Sequence, residues 1–190
     1  MPEIGVLLSL LAFVALAAGT AIVLTRAGRI VARTREVDAF RGSVRDLVSR
    51  VDASLEGAGS RIDAVRRGQL GAETIGPTIE AATDAVERYL DEARALHGPP
   101  AAVEIRDEIV GELERAARAL AMVDHGATIL AQIRRRGREL EAQTAIKRGY
   151  LNLLHAREAL DRHAARAQAL DASSEIAPPD SPLTVREPRP

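Results

Sequence analysis

The sequence contains no cysteine and no tryptophan, and its 190 residues include only two Phe and two Tyr. Without cysteine, the chain has no disulfide framework, no thiolate metal site and no cysteine nucleophile. With so few aromatic side chains, a core must be built from Ala, Leu, Val and Ile on helices that approach one another closely. The abundance of Ala, Leu, Arg and Glu is typical of helix-forming sequences and predicts an all-α fold.

A surplus of charge of one sign is also lacking, because 26 basic residues are matched by 27 acidic ones and the net charge is −1. The chain as a whole therefore shows no bias towards nucleic acid, which is not predicted as a partner. Lysine is nearly absent, since Lys147 is the only one and the other strongly basic residues are all Arg. We interpret this preference for Arg over Lys as a result of coding bias and not as a functional feature.

One long uncharged run lies near the N-terminus, from Ile4 to Thr25. As a helix it would be about 33 Å long, which matches the roughly 30 Å hydrocarbon core of a bilayer. It therefore predicts a transmembrane helix. The alternative is a secretory signal peptide cleaved near residues 15–17. Because residues 1–3 carry no basic side chain and the run is longer than the usual signal-peptide core, we prefer the membrane span.

Four arginines follow the apolar run, whereas Glu3 is the only charged side chain before it. Under the positive-inside rule, this asymmetry places residues 1–3 outside the cell membrane and the chain from residue 26 onward in the cytoplasm. The chain is then a single-pass protein. Lipid head groups are the predicted surroundings of the four arginines, whose simplest role is to set this topology: Arg26, Arg29, Arg33 and Arg35.

Beyond the membrane segment, apolar residues recur at spacings of three, four and seven, as in the seam of a coiled coil. They predict a helix over about residues 29–68 that keeps its register across Gly57 and Gly59. A stretch rich in Gly and Pro separates it from a second helix over about 77–97. Gly98-Pro99-Pro100 then ends the second helix.

The remainder of the helical region allows two interpretations. Matching of helix lengths predicts helices over about 101–123 and 127–172, with a turn at Asp124-His125-Gly126. Continuity of the apolar seam instead predicts that the two are one helix, or that the break lies near residues 134–138. We prefer the first interpretation, because one unbroken helix would leave a long apolar stripe without a partner in the same chain.

In this interpretation residues 26–172 form an antiparallel three- or four-helix bundle with coiled-coil-like seams. The Pro-rich residues 173–190 are predicted to be a disordered tail. Six apolar residues are expected to pack together within one chain: Val44, Val51, Leu113, Leu120, Leu153 and Leu160.

The densest charge cluster is the run Arg134-Arg135-Arg136-Gly137-Arg138, in which Arg134, Arg135, Arg136 and Arg138 are candidates for binding an anionic ligand. On a helix, however, these side chains would fan around most of the circumference. No aromatic residue lies nearby to stack on a base. An arginine-rich helix end or a solvated surface explains the cluster equally well.

The segment from residue 147 to residue 155 is the least repetitive part of the chain and contains the only Lys, the only Asn and one of the two Tyr. It predicts either a partner-docking surface or a helix crossing. We prefer the crossing, in which a glycine admits the backbone of a neighbouring helix and a tyrosine fills the seam. The candidate residues are Lys147, Gly149, Tyr150, Asn152 and His155.

Motifs for catalysis or cofactor binding are not found in the sequence. His155, Glu158 and His163 fall in one helix, but a metal site in a bundle would also need inward carboxylates and Glu-x-x-His repeats on partner helices. Those are lacking. The chain is therefore predicted to hold no metal or cofactor and not to be an enzyme.

These features favour a membrane-anchored cytoplasmic scaffold or adaptor that acts through protein–protein interaction. Its predicted partners are membrane lipid, a second copy in a homodimer, and an unidentified cytoplasmic or membrane protein. One alternative is an accessory subunit of a membrane signalling or transport complex, in which the first helix transmits a movement. A structural stalk is the other, although the glycine and proline turns argue against it.

Overall fold

The computed structural model of the protein describes residues 2–132 and 137–170, including all their side chains from Val31 onward. Its four α-helices pack against one another, which confirms the all-α prediction. Short 3-10 turns at Ala72–Thr74 and Pro100–Ala102 precede the second and third helices. In chain order the helices are α1 (Pro2–Arg66), α2 (Gly76–Arg94), α3 (Val103–Ala131) and α4 (Glu139–Ala169).

Helix α1 is a single helix of 65 residues, about 97 Å long at 1.5 Å per residue. Its buried side chains begin at Val37 and recur as far as Val65, so the first half of α1 projects from the bundle. The helix predicted over 29–68 is therefore the second part of a longer one. Gly57 and Gly59 do not interrupt it, as expected.

The predicted membrane segment, residues 4–25, belongs to the projecting half of α1. Leu16, Thr20 and Thr25 are exposed, and the other side chains of this segment lie outside the described residues. Leu16 retains 70% of its accessible surface. Within the described part of the chain, no helix is both long enough and apolar enough to cross a bilayer.

Helix α1 ends in a glycine turn. Gly68 adopts a left-handed conformation with φ of 70°, which costs a residue without Cβ very little. The Gly68 amide donates a hydrogen bond to the Val65 carbonyl at 2.9 Å, and the Gln69 amide donates to the Ala64 carbonyl at 2.8 Å. This pair of bonds is a Schellman motif, which satisfies carbonyls that the end of a helix would otherwise leave unpaired.

The second predicted helix, 77–97, corresponds to α2. Pro77 lies in its first turn, where the missing N–H of proline costs no hydrogen bond. The helix ends at Arg94, three residues earlier than predicted. The segment that follows packs on α1, because a Cβ at Gly98 would lie 2.7 Å from Phe40 Cδ2. This contact closes the end of the bundle at which α1 enters.

The preferred position of the turn between the third and fourth helices is wrong. Helix α3 continues through residues 124–126, and the connection to α4 lies within 132–138, the region that the alternative interpretation indicated. Gly126 is buried against α4: a Cβ there would lie 2.8 Å from the Ala142 carbonyl oxygen and 2.8 Å from Ile146 Cγ1. This glycine marks the close approach of two helices.

Neighbouring helices run in opposite directions. Arg50 contacts Glu92 and Arg61 contacts Thr78. The residue numbers of contacting pairs therefore increase along α1 as they decrease along α2. The same opposite progression relates α3 to α2 and to α4, and α4 to α1. The four helices therefore run alternately up and down around one core.

The core is contributed by all four helices. The six apolar residues expected to pack within one chain all belong to it, and each retains at most 1% of its surface. That prediction is confirmed. Every buried side chain among the described residues is apolar or glycine or proline, so burial of hydrocarbon is the main source of stability.

The bundle has two distinct ends. At the end that we call proximal, α1 enters and α4 finishes, and the Gln168 side-chain amide donates a hydrogen bond to the Arg41 carbonyl at 3.0 Å. At the distal end, α1 finishes at Arg66 and residues 132–138 connect α3 to α4. Helix α1 rises about 60 Å between Thr25 and Arg66. The distal end is therefore far from the N-terminal apolar run.

Candidate interaction sites

The four arginines that follow the apolar run lie on α1 before the bundle begins at Val37. Arg29 and Arg35 are exposed and Arg33 is partly exposed, whereas the side chain of Arg26 lies outside the described residues. On a continuous helix, positions 26, 29 and 33 share one face and position 35 lies on the opposite one. Arg29, Arg33 and Arg35 therefore lie on the projecting part of α1, before the first buried side chain of the bundle.

The arginine cluster of residues 134–138 is described only in part, because Arg134, Arg135 and Arg136 lie outside the described residues. Arg138 is described and makes two hydrogen bonds of 2.8 Å to the carboxylate of Glu141. The hydrogen bond from Arg138 lowers the pKa of Glu141 and raises that of Arg138 itself. The charge of Arg138 is thus already balanced within its own helix.

The five candidate residues between 147 and 155 do not form one surface. Gly149 is buried, Tyr150 and Asn152 are partly buried, and only Lys147 and His155 are exposed. The guanidinium of Arg66 lies over one face of the Tyr150 ring, 5.3 Å from its centroid. A docking surface made of all five residues is therefore not present.

Gly149 lies where α4 crosses α3. A Cβ at this position would lie 2.6 Å from Val123 Cγ2 and 2.7 Å from the Ala119 carbonyl oxygen, closer than real side chains approach one another. The glycine consequently allows the two backbones to come together. Gly126 makes the reciprocal contact from α3 to α4. These contacts are those of the helix crossing that the sequence favoured.

A groove of about 460 Å³ opens at the distal end, between the last turn of α1 and the α3–α4 pair. We call it the distal groove. Val65, Leu130 and Ile146 form its apolar floor, and Val65 and Ile146 are buried while Leu130 is partly exposed. Val65 and Ile146 retain only 8% and 2% of their accessible surface, so little of their hydrocarbon is left to be covered.

Charged side chains form the rim of the distal groove: Arg66, Glu139 and Lys147. Arg66 makes an ion pair of 2.7 Å with Asp63, and Arg67 reaches the same carboxylate at 2.7 Å. One carboxylate therefore pairs with two guanidinium groups, which leaves one positive charge in excess. Lys147 is exposed and has no ion pair with any residue in the part of the chain that the structure describes.

Sequence reasoning missed this groove because it arises from unequal helix lengths. Arg66, in the last turn of α1, stacks on Tyr150, whereas α4 begins well before that residue, at Glu139. The α3–α4 pair therefore extends past the end of α1 and leaves one side uncovered. The spacing of apolar residues gives no information on how far two helices overlap.

A second charged cluster lies near the proximal end and joins α3 to α4. Glu108 accepts a hydrogen bond from Arg166, and its Oε2 lies 3.1 Å from His163 Nδ1. The hydrogen bond from Arg166 is the main reason why the pKa of Glu108 is lowered. No group of three His, Asp or Glu that could hold a metal ion occurs within residues 2–132 and 137–170.

No protein-family model, curated protein or solved structure matches this chain.

Proposed function

We propose that the protein is a membrane-anchored cytoplasmic scaffold or adaptor, not an enzyme, and that it acts through protein–protein interaction. The observation that supports this most is the continuity of α1, which joins the N-terminal apolar run to the bundle core in one 65-residue helix. A continuous helix sets both the distance and the rotation of the bundle relative to that run. Such an arrangement suits a protein that presents a surface at a defined height above a membrane.

The proposed anchor is the uncharged run from Ile4 to Thr25. Twelve of its residues are Leu, Ile, Val or Phe, and each contributes roughly −0.3 to −0.6 kcal/mol to insertion at the bilayer centre. Insertion is then favourable by several kcal/mol before Gly, Ser and Thr offset part of it. The four arginines that follow would hold the bundle on the cytoplasmic side and contact anionic lipid.

We also propose that the protein forms a homodimer in which each protomer keeps its own bundle. The core side chains are buried within one chain, so association would use surfaces outside the core. The projecting half of α1 is one such surface, because Val31 retains 49% of its accessible surface there. Light scattering of the detergent-solubilised full chain should give the mass of two chains, and a monomer mass would contradict the dimer.

A second candidate function is an accessory subunit that transmits a movement from the membrane to a signalling or transport complex. The absence of any break in α1 between Thr25 and Val37 favours it. Insertion of two alanines between Arg35 and Glu36 would rotate the bundle by about 200°. A scaffold should still co-purify with its partner after this insertion. An accessory subunit that transmits a movement should instead lose its effect on the activity of the signalling or transport complex. A stalk is disfavoured, since α2, α3 and α4 pack into one bundle with the second half of α1 and add no reach.

Topology and extraction experiments test the anchor directly. Reporter fusions after Pro190 should show a cytoplasmic C-terminus, and the full chain should resist alkaline extraction from membranes. Replacement of the four juxtamembrane arginines by Ser should weaken the orientation. As a matched control, four exposed arginines of the bundle can be replaced in the same way without such an effect: Arg88, Arg118, Arg148 and Arg162. Release of the full chain by alkali, or an external C-terminus, would contradict the proposal.

A further inference from the structure

One face of α1 is buried in the bundle and continues towards the N-terminus into residues 26–36, which we call the stem. The first buried side chain of this core face is Val37. Position 33 lies four residues before it and therefore on the same face of the helix. In the stem the core face thus carries Arg33, with Arg29 one turn before it, and every described side chain of the stem is exposed or partly exposed.

The charges of the stem are not balanced within it. Residues 28–36 contain three arginines and one acidic residue, Glu36. Arg29 and Arg33 are four residues apart, a spacing at which like charges on a helix repel each other. Arg29 makes no ion pair with any residue in the part of the chain that the structure describes. A carboxylate placed between the two guanidinium groups would replace this repulsion with charge-assisted hydrogen bonds.

Helix α4 ends beside α1, next to the stem. The Arg41 side chain donates a hydrogen bond to the Leu170 carbonyl, and the Gln168 side-chain amide donates one of 3.0 Å to the Arg41 carbonyl. Leu170 has φ of −56° and ψ of 131°, so the backbone is already extended there. Because α4 runs antiparallel to α1, the chain leaves Leu170 in the direction of the stem.

The residues that follow can lie along the stem without a detour. Arg29 is about 18 Å from Arg41 along α1, at 1.5 Å per residue. An extended chain advances roughly 3.3 Å per residue, so Glu175 can lie about 17 Å from Leu170. A straight path along α1 therefore brings the Glu175 carboxylate to the level of Arg29.

Residues 171–177, which we call the tail segment, have the charge that complements the stem. They include Asp171 and Glu175 and no basic residue, and the first basic residue after Leu170 is Arg186. In an extended chain alternate side chains point to the same side, so Asp171, Ser173 and Glu175 can face the stem together. Complementary charge between two surfaces favours their association.

We infer that the tail segment docks on the stem of its own chain, along the core face of α1, with the Glu175 carboxylate between Arg29 and Arg33. Only four residues separate Leu170 from Glu175, so closing this short loop loses little chain entropy. The inference goes beyond the proposed scaffold function and does not require the membrane anchor.

Docking leaves room for the other proposed features of the chain. Val31 is two residues before Arg33, roughly 200° around the helix, so it lies on the opposite side of the stem and stays available to a second copy. The prediction of a disordered tail then applies to residues 178–190, which begin with two prolines.

Anionic lipid is the competing occupant of these arginines when the apolar run spans a membrane. Along an upright α1, Arg29 lies about 6 Å and Arg33 about 12 Å beyond Thr25. The head-group layer on each side of the hydrocarbon core is about 5–8 Å thick. Lipid therefore surrounds Arg29 but not the backbone of Arg33, whereas a carboxylate of the tail segment reaches both guanidinium groups.

The absence of cysteine allows a direct test, because two introduced cysteines can form only one disulfide within a chain. Thr34 is about 10 Å from Arg41 along α1, and Ser173 can lie about 10 Å from Leu170 in an extended chain. Oxidation of the full chain carrying Thr34→Cys and Ser173→Cys, in detergent, should therefore give an intramolecular disulfide. Non-reducing electrophoresis and mass spectrometry detect it.

The matched control combines Ala32→Cys with Ser173→Cys. Ala32 is exposed and lies on the opposite side of α1 from Thr34. The two pairs enclose loops of nearly equal length, so an undocked tail segment would close them at equal rates. A docked segment should close the Thr34 pair at least about tenfold faster, because it raises the effective concentration of one cysteine at the other.

Charge reversal tests the contact between the carboxylate and the two arginines. Glu175→Arg should slow formation of the Thr34 disulfide roughly threefold or more, because an attraction between exposed charges becomes a repulsion. Adding Arg29→Glu and Arg33→Glu should restore the rate. Adding Arg35→Glu instead should not, since position 35 faces away from the core face.

The remaining outcomes each contradict the inference. Equal rates for the two cysteine pairs would show that the tail segment is not docked, and a disulfide between two chains would place the segment on the second copy. In phosphatidylcholine vesicles, added phosphatidylserine should change the rate of the Thr34 pair by less than about twofold. A fall to the rate of the Ala32 pair would assign the stem arginines to lipid. Failure of the anchor itself would appear separately, in the extraction and topology experiments.

Discussion

The α3–α4 pair and the α1–α2 pair are held together by different means. Between α3 and α4, Gly126 and Gly149 bring the backbone of each helix against side chains and carbonyls of the other. Between α1 and α2, long polar side chains bridge the helices, as in the hydrogen bond of 2.9 Å between Ser54 and Tyr89. In a bundle with almost no aromatic residues, the two helix pairs therefore pack differently. The backbones of α3 and α4 approach closely, whereas polar side chains bridge α1 and α2.

The largest expected effect tests whether the α3–α4 pair is part of a closed bundle. Leu160 lies in the core and retains 1% of its surface. Leu160→Asp would bury a charge without a partner and should cost about 3 kcal/mol or more, a large part of the 5–15 kcal/mol typical of a folded domain. Circular dichroism of the full chain in detergent should show loss of the cooperative melting transition.

Leu151→Asp is the matched control on the same helix, because Leu151 is 42% exposed. It should change the free energy of unfolding by no more than about 0.5 kcal/mol. If Leu160→Asp instead gave a well-folded helical monomer, the apolar face of α4 would belong to an interface between two chains. The closed bundle would then be wrong.

The next effect concerns the two classes of glycine in α3 and α4. At Gly149 an added Cβ would lie 2.7 Å from the Ala119 carbonyl oxygen, whereas at Gly111 nothing lies within 4 Å. Gly149→Ala should therefore destabilise the protein by about 1–3 kcal/mol through overpacking. Gly111→Ala should stabilise it by up to about 1 kcal/mol through higher helix propensity. Thermal unfolding of both variants should show shifts of opposite sign.

Equal shifts for the two variants would mean that α3 and α4 are not in close contact at Gly149. A Gly126→Ala variant then provides an independent check, since its Cβ would lie 2.8 Å from the Ala142 carbonyl oxygen. It should be destabilising like Gly149→Ala.

These glycines also show how far sequence reasoning could reach. Apolar spacing is a local property, and it was sufficient to predict that Val44, Leu113 and Leu153 share one core. The role of a glycine depends on what lies opposite it. Gly68, which ends a helix, and Gly126, which admits a neighbouring helix, look alike in the sequence, so Gly126 was wrongly assigned to a turn.

The candidate site was less predictable than the fold for a related reason. The distal groove depends on the end of α1 at Arg66 and on the ends of α3 and α4 near Leu130 and Glu139, which lie in a distant part of the chain. Lys147 was singled out for its rarity, but its place on the rim follows only from the register of α4 against α1. Prediction of a helix does not supply that register, because several overlaps bury nearly the same apolar area.

A smaller effect is expected for the polar bridge between α1 and α2. Tyr89→Phe removes the hydroxyl that bonds to Ser54 but keeps the ring that lies 5.5 Å below the guanidinium of Arg50. The loss should be about 0.5–1.5 kcal/mol, the net value of one hydrogen bond. Tyr150→Phe is the matched control, because its ring also lies under an arginine. Denaturant unfolding should detect the difference, and equal losses would contradict a specific bridge.

The smallest effect concerns acid sensitivity at the proximal end of the α3–α4 pair. The hydrogen bond from Arg166 lowers the pKa of Glu108 in the folded protein. A carboxylate with a lowered pKa contributes stability that is present above its unfolded pKa of about 4.3 and is lost as pH falls through the folded value. Acidification should therefore destabilise the unmodified protein more than Glu108→Gln. Because the Glu108–Arg166 pair is partly exposed, with 32% of the Glu108 side chain accessible, the pair contributes at most about 1 kcal/mol to stability.

The measurement is the change in melting midpoint between pH 7 and about pH 3. This change should be smaller in Glu108→Gln than in Glu158→Gln, which alters an exposed residue of α4 without an ion pair among the described residues. If the two variants lost stability equally on acidification, the link from Glu108 to Arg166 would contribute nothing to the α3–α4 contact, which would then depend on its glycines and apolar residues alone.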